Sequence, residues 1–239
     1  IVAQSIGGGG GIAGDTGADS FDTLQTAGQG DPSGGSGKTV DVTVDGNITT
    51  SGDAAFGLIA QSAGGRGGIW GQGGRFYAGS LGGASGHGGA VSVTQQGTIA
   101  TTGTGSNGIF AQSTGPEGNG TITVDVSGQV TGGTGTGAAV YVSEGHDNVL
   151  TVNAGASVLA GGMGGDDAGQ AVRYLGSNSQ DDGYTLAVQN HGTIQGDVVL
   201  QSSDSTSDAA AVDARKGQLV AGRVTNLRQG RWVLGAASV

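Results

Sequence analysis

The sequence predicts an all-β chain: a right-handed parallel β-helix (a β-solenoid) with three short strands per coil and long glycine-rich loop insertions. Three observations predict it. A short tag ending in Ala-Gln-Ser recurs along the chain. Apolar residues six positions apart recur ahead of each later tag. Glycine supplies 55 of the 239 residues against only two prolines, as a fold with many tight corners requires. Composition this rich in glycine approaches the disordered range. Alternating runs such as Val40-Asp41-Val42-Thr43-Val44 argue against disorder for most of the chain.

The tag opens the chain as Ile1-Val2-Ala3-Gln4-Ser5 and returns as Leu58-Ile59-Ala60-Gln61-Ser62 and Ile109-Phe110-Ala111-Gln112-Ser113. Weaker copies follow at Val140-Tyr141-Val142-Ser143-Glu144, Val172-Arg173-Tyr174-Leu175 and Val198-Val199-Leu200-Gln201-Ser202. The second signal pairs Val42 with Ile48, Val93 with Ile99, Val124 with Val130, Val152 with Val158 and Val188 with Ile194. Each first member has an apolar residue two positions earlier: Val40, Val91, Ile122, Leu150 and Leu186. Period-two alternation buries one face of a strand. Glycine stands two residues before the second member at Gly46, Gly97, Gly128 and Gly192, with Ala156 in the fourth copy. Like positions are expected to stack as inward ladders, Val42, Val93, Val124, Val152 and Val188 forming one. Burial of about five apolar side chains, roughly 1.5–3 kcal/mol each, cannot order a lone coil at about 1–2 kcal/mol per residue. Several stacked coils are required.

The whole chain, 1–239, reads as one solenoid. The first two coils carry insertions at about 6–37 and 63–89, each directly after a Gln-Ser. Coils at 208–239 continue the alternation at the C-terminal end. The opening inside a strand-like run makes the chain an expected internal piece of something larger. Outward Val2, Ile59, Phe110, Tyr141 and Val199, interrupted by Arg173, would form an exposed apolar stripe, and the two insertions are the nearest cover for it.

Composition excludes several functions. A net charge of −10 and only nine Lys and Arg do not suit phosphate neutralisation, so no nucleic-acid partner is expected. Without cysteine, a disulfide framework and a Cys nucleophile are excluded. His87, His146 and His191 are isolated in sequence. Asp166-Asp167 and Asp181-Asp182 lack the regular nonapeptide of calcium repeats. No Gly-Lys-Ser/Thr follows the polyglycine, so it is not a phosphate loop. No catalytic residue, metal or cofactor is expected. Outward Thr43, Thr94, Thr123 and Thr151 raise ice binding as a minor alternative. The second insertion gathers Arg66, Trp70, Arg75, Phe76 and Tyr77. They are either a contact patch for a glycan or protein, or rings that anchor the loop to the solenoid.

Ala3-Gln4-Ser5-Ile6-Gly7-Gly8-Gly9-Gly10-Gly11 resembles the glycine-rich passengers of large monomeric (type V) autotransporter adhesins of Gram-negative bacteria. Gly230-Arg231-Trp232-Val233-Leu234-Gly235-Ala236-Ala237-Ser238-Val239 is similar to the last coils of pertactin-like passengers. The resemblance implies a non-catalytic adhesin or stalk, exported across the outer membrane to the cell surface. Its partners would be a host or bacterial surface protein or glycan, or a copy of itself. Membrane attachment would come only through a C-terminal β-barrel absent from this sequence. The alternative is a β-helical carbohydrate-active enzyme or a receptor-binding fibre.

Overall fold

A computed structural model describes residues 1–7, 11–15, 35–65, 67–72, 75–80, 85–163, 165, 167–176, 185–201, 222–227 and 229–233; for 11–15, 67–72 and 75–80 it describes the backbone alone. The described elements are all strands. In chain order they are β1 (Val2–Ile6) and β2 (Gly11–Asp15), then β3 (Val40–Val44), β4 (Ile48–Thr50) and β5 (Phe56–Ala63). The pair β6 (Gly67–Gln72) and β7 (Arg75–Ser80) follows, then β8 (Val91–Gln95), β9 (Thr98–Thr101) and β10 (Asn107–Thr114). The next coils are β11 (Ile122–Val126), β12 (Gln129–Thr131), β13 (Ala138–Glu144), and β14 (Asn148–Val152), β15 (Ser157–Leu159), β16 (Gln170–Leu175). The last are β17 (Leu186–Asn190), β18 (Thr193–Gln195), β19 (Asp197–Gln201), with β20 (Gly222–Asn226) and β21 (Arg231–Val233).

Corresponding strands of successive coils stack on one another. The tag strands form a six-stranded sheet β1-β5-β10-β13-β16-β19; the other two sheets are β3-β8-β11-β14-β17-β20 and β4-β9-β12-β15-β18-β21. The ladders of these three sheets are parallel, as in Val42↔Val93, Ile48↔Ile99 and Ala3↔Ala60. This is the three-strand solenoid that the spacing predicts. The core runs along its axis. Ile99, Val130, Val158 and Ile194 face it from one sheet, and Leu58, Ile109, Val140 and Val172 from the tag sheet, all fully buried.

One ladder differs from expectation. Val124 stacks on Leu150, and Leu150 on Val188; Val152 instead continues from Val126 to Asn190. The turn Asn153–Ala156, with Gly155 at φ +86, is two residues longer than Ser127-Gly128, so Leu150 to Val158 spans eight residues. The six-residue spacing of Val152 to Val158 matched the wrong pair because the true edge position holds a polar residue, Asn148. Asn148 is buried, accepts from Ile122 N at 3.0 Å and donates to Glu144 O at 2.8 Å and Thr185 O at 3.0 Å. A buried amide so bonded is tolerated.

The corner glycines answer to crowding. A Cβ on Gly97 would stand 2.2 Å from Gly46 O, and one on Gly128 only 1.9 Å from Gly97 O. Consecutive coils meet there backbone to backbone, leaving no room for a side chain at Gly97 or Gly128; the longer turn Asn153–Ala156 admits Ala156 in the same row. The same corner explains inward Gln95: its Oε1 accepts from Gly128 N at 3.2 Å and its Nε2 donates to Gly97 O.

The threonine row also needs correction. Thr43, Thr94 and Thr151 share one outward row, but Asp125 sits between Thr94 and Thr151, while Thr123 belongs to the row of Ser92 and Val149. A carboxylate breaks the flat hydroxyl array. At the far end Trp232 stacks on Ile194 and donates from Nε1 to Gly196 O at 3.0 Å. Residues 208–221 and 234–239 of the expected terminal coils lie outside the described residues.

Candidate interaction face

The tag has a reason at each position. Ala60 and Ala111 point into the core and are fully buried. The serine closes the corner between coils. Ser62 Oγ accepts from Gly89 N and donates to Lys38 O, each at 2.8 Å; Ser113 Oγ accepts from Gly120 N at 2.7 Å and donates to Gly89 O at 2.8 Å. The glutamine points outward and stacks. Gln4 Nε2 donates to Gln61 Oε1 at 2.6 Å, Gln61 Nε2 to Gln112 Oε1 at 2.7 Å, and Gln112 Nε2 to Ser143 Oγ at 3.3 Å. The amide chain therefore runs in one direction and ends on a hydroxyl.

Beside it lies an apolar row. Ile59 and Phe110 face away from the core yet are only 5% and 4% exposed. Phe110 meets Phe56 edge-on at 5.6 Å and Tyr141 at 5.1 Å, and Arg173 places its guanidinium carbon 4.9 Å from the Tyr141 ring centre. The stacking of aromatic edge on face, closed by a cation, is favourable. Burial pushes the Tyr141 hydroxyl above its ordinary range, partly offset by the Arg173 charge and a hydrogen bond with Ser143. Burial likewise raises the Glu144 carboxyl at the end of β13, against hydrogen bonds from Thr114 and Asn119 that lower it.

A second sheet covers this face. Strands β2, β6 and β7 form a three-stranded sheet in that order, with β2 parallel to β6 and β7 antiparallel to it. Strand β6 lies against β1 and β7 against β10. The outer stripe of Ile59 and Phe110 is thus an interface between two layers.

Of the residues singled out from sequence, Trp70, Arg75, Phe76 and Tyr77 share the β6–β7 hairpin, in register Trp70↔Tyr77, Gly71↔Phe76 and Gln72↔Arg75. Arg66 lies outside the described residues, as do Asp166, Asp181 and Asp182. His87 Nε2 stands 3.5 Å from Glu117 Oε2, and His146 Nδ1 stands 3.0 Å from Asp147 Oδ2, both pairs well exposed. Among the described residues, no three His, Cys, Asp or Glu side chains group as metal ligands. Sequence reading missed Phe56, which stands three residues before Ile59 and joins the same row. The alternation gave no signal for it, because Gly57 intervenes where the strand enters. Comparison with known proteins returns no match: no protein family, curated sequence or solved structure aligns significantly with the chain.

Proposed function

We propose that the chain is a non-catalytic rod of a bacterial surface protein, an adhesin or stalk of the autotransporter-passenger type. The observation that carries this reading is the pairing pattern. Each coil of the three long sheets pairs only with the coil before and the coil after it, so the rod can fold coil by coil as it emerges from a membrane. Such a solenoid gains stability from nearest neighbours alone, which suits a chain without cysteine. Six strands per sheet, five spacings of about 4.8 Å, make each sheet roughly 24 Å tall along the rod, a rigid spacer. The β6–β7 hairpin stands on its flank and is the natural contact ledge, with a surface protein or glycan, or another copy of the chain, as partner.

The test is display. The chain is fused to an outer-membrane β-barrel in a Gram-negative host. Surface exposure to added protease, with cells that settle or attach faster, is the expected result. Replacing residues 64–86 by a short linker should abolish the attachment and leave export intact. A chain released by protease only after lysis would overturn the export reading. Depolymerisation of a polysaccharide by the purified chain would favour the carbohydrate-active alternative.

A further inference from the structure

Arg173 is a cation without an anion. The outer row of the tag sheet runs Val2, Ile59, Phe110, Tyr141, Arg173 and Val199, so Arg173 stands where every other coil holds an apolar or aromatic side chain. The ion contacts among the described residues are His87–Glu117 and His146–Asp147; neither involves Arg173. The chain has 19 Asp and Glu against nine Lys and Arg, so carboxylates are not scarce. A half-buried guanidinium without one carries a desolvation cost that packing alone does not require.

Its neighbours hold it in one place. Tyr141 carries the guanidinium carbon 4.9 Å from its ring centre, which fixes the plane of the fork. The strand steps irregularly between Gln170 and Val172. Ala171 and Val172 both belong to the core, so Gln170 comes to the outer side with Arg173. Arg173 Nε and Gln170 Oε1 are each sealed from solvent without a hydrogen-bond partner. A donor and an acceptor left unpaired on one half-buried patch are uncommon in a folded protein. Ser143, bonded to Tyr141 and to Gln112, and the exposed Asp197 and Gln201 border the patch. Strands β13 and β16 lie inside the stack, each paired on both sides.

We propose that Arg173, Gln170 and Tyr141 form a subsite for a carboxylate-bearing sugar, a hexuronate unit of an acidic glycan. The guanidinium fork takes the carboxylate through two N–H donors. A rotation of Gln170 brings its amide to a ring hydroxyl, and the Asp197 carboxylate accepts from another. A peptide carboxylate fits less well. An extended peptide is held by open backbone N–H and C=O groups, and β13 and β16 direct theirs to both neighbours. The net charge of −10 disfavours nucleic acid. The subsite lies on β13 and β16, not on the β6–β7 hairpin, and depends neither on export nor on that ledge.

The purified chain is titrated with methyl glucuronoside and with methyl glucoside, the same ring without the carboxylate, while NMR follows the Tyr141 ring and the Arg173 side chain. The glucuronoside should shift both saturably, with Kd on the order of 1 mM, as expected for so small a ligand. Methyl glucoside, acetate and a Glu-Glu dipeptide should each bind at least about tenfold more weakly. Arg173→Lys keeps the charge and loses the fork, and should lower affinity by about tenfold or more at an unchanged melting temperature. Gln170→Ala, which leaves the cation over Tyr141, should weaken the glucuronoside and leave acetate unchanged. Equal binding of methyl glucoside, no saturable shift by the glucuronoside, or full affinity in both variants would overturn the proposal. Acetate as tight as the glucuronoside would reduce the patch to a bare anion contact, and the dipeptide as tight would assign it to a protein partner; either result overturns it too.

Discussion

The same substitution at two stacked glycines should have opposite consequences. Gly128 and Gly46 occupy one corner row, two coils apart, and neither has positive φ. A Cβ at position 128 would lie 1.9 Å from Gly97 O and 2.3 Å from Gln96 O. Restoring ordinary contact moves the corner by about 1 Å or more, since a carbon needs roughly 3.5 Å from its neighbours. That displacement acts on Ser127 N→Gln95 O at 2.7 Å, Gln129 N→Gly97 O at 3.1 Å and Gly128 N→Gln95 Oε1 at 3.2 Å. At about 0.5–1.5 kcal/mol each, Gly128→Ala should cost roughly 2–4 kcal/mol, about 5–15 °C in melting temperature for a chain this long. At Gly46 nothing lies within 4 Å. Gly46→Ala should be neutral or stabilise by up to about 1 kcal/mol, through the unfolded state. Urea titration of both variants in dilute solution measures the difference. Equal destabilisation, or a larger loss at Gly46, would refute the account of why these corners are glycine.

Val124 is sealed between Val93 and Leu150, so Val124→Asp buries a carboxylate without a partner and should unfold the chain cooperatively, seen as loss of the melting transition at pH 7. Burial holds the Glu144 carboxyl above its ordinary range, so the folded state favours the proton, and the stability this gives is complete below the ordinary Glu range and lost as pH rises through the raised value. Glu144→Gln should therefore melt above the wild type at pH 7, and the gain should vanish below about pH 4. Arg173→Ala removes the cation over Tyr141 and should cost about 0.5–1 kcal/mol, with no such loss when Tyr141 is already Leu; urea melts of the double-mutant cycle give the coupling.

Much of this fold was legible because a parallel solenoid writes one residue per coil into each ladder. Ala-Gln-Ser marked the tag sheet in three coils, and the alternation around Val93 and Val124 marked the inner face. The register failed where the core turned polar. Asn148 occupies an apolar slot by satisfying its amide inside the corner, and hydrophobic spacing passed over it to Val152. The outward stripe was legible as a contradiction: Ile59 and Phe110 faced solvent in the pattern. The hairpin that resolves it was not, because β6 is half glycine and pairs with β7 through the backbone, which sequence periodicity does not report. Trp70, Arg75, Phe76 and Tyr77 were singled out by aromatic content and a neighbouring arginine, and their shared hairpin came only from the structure.

The central claim is that the tag sheet is buried on both faces at β5 and β10, by the core within and by a second sheet without. Single cysteines test it directly. Phe110→Cys, at a covered outer position, should resist a water-soluble maleimide for as long as the protein stays folded. Thr43→Cys, on an open outer row, should react within seconds, and replacing residues 64–86 by a short linker should bring Phe110→Cys to the same rate. Labelling of Phe110→Cys as fast as Thr43→Cys in the intact chain would contradict the two-layered face.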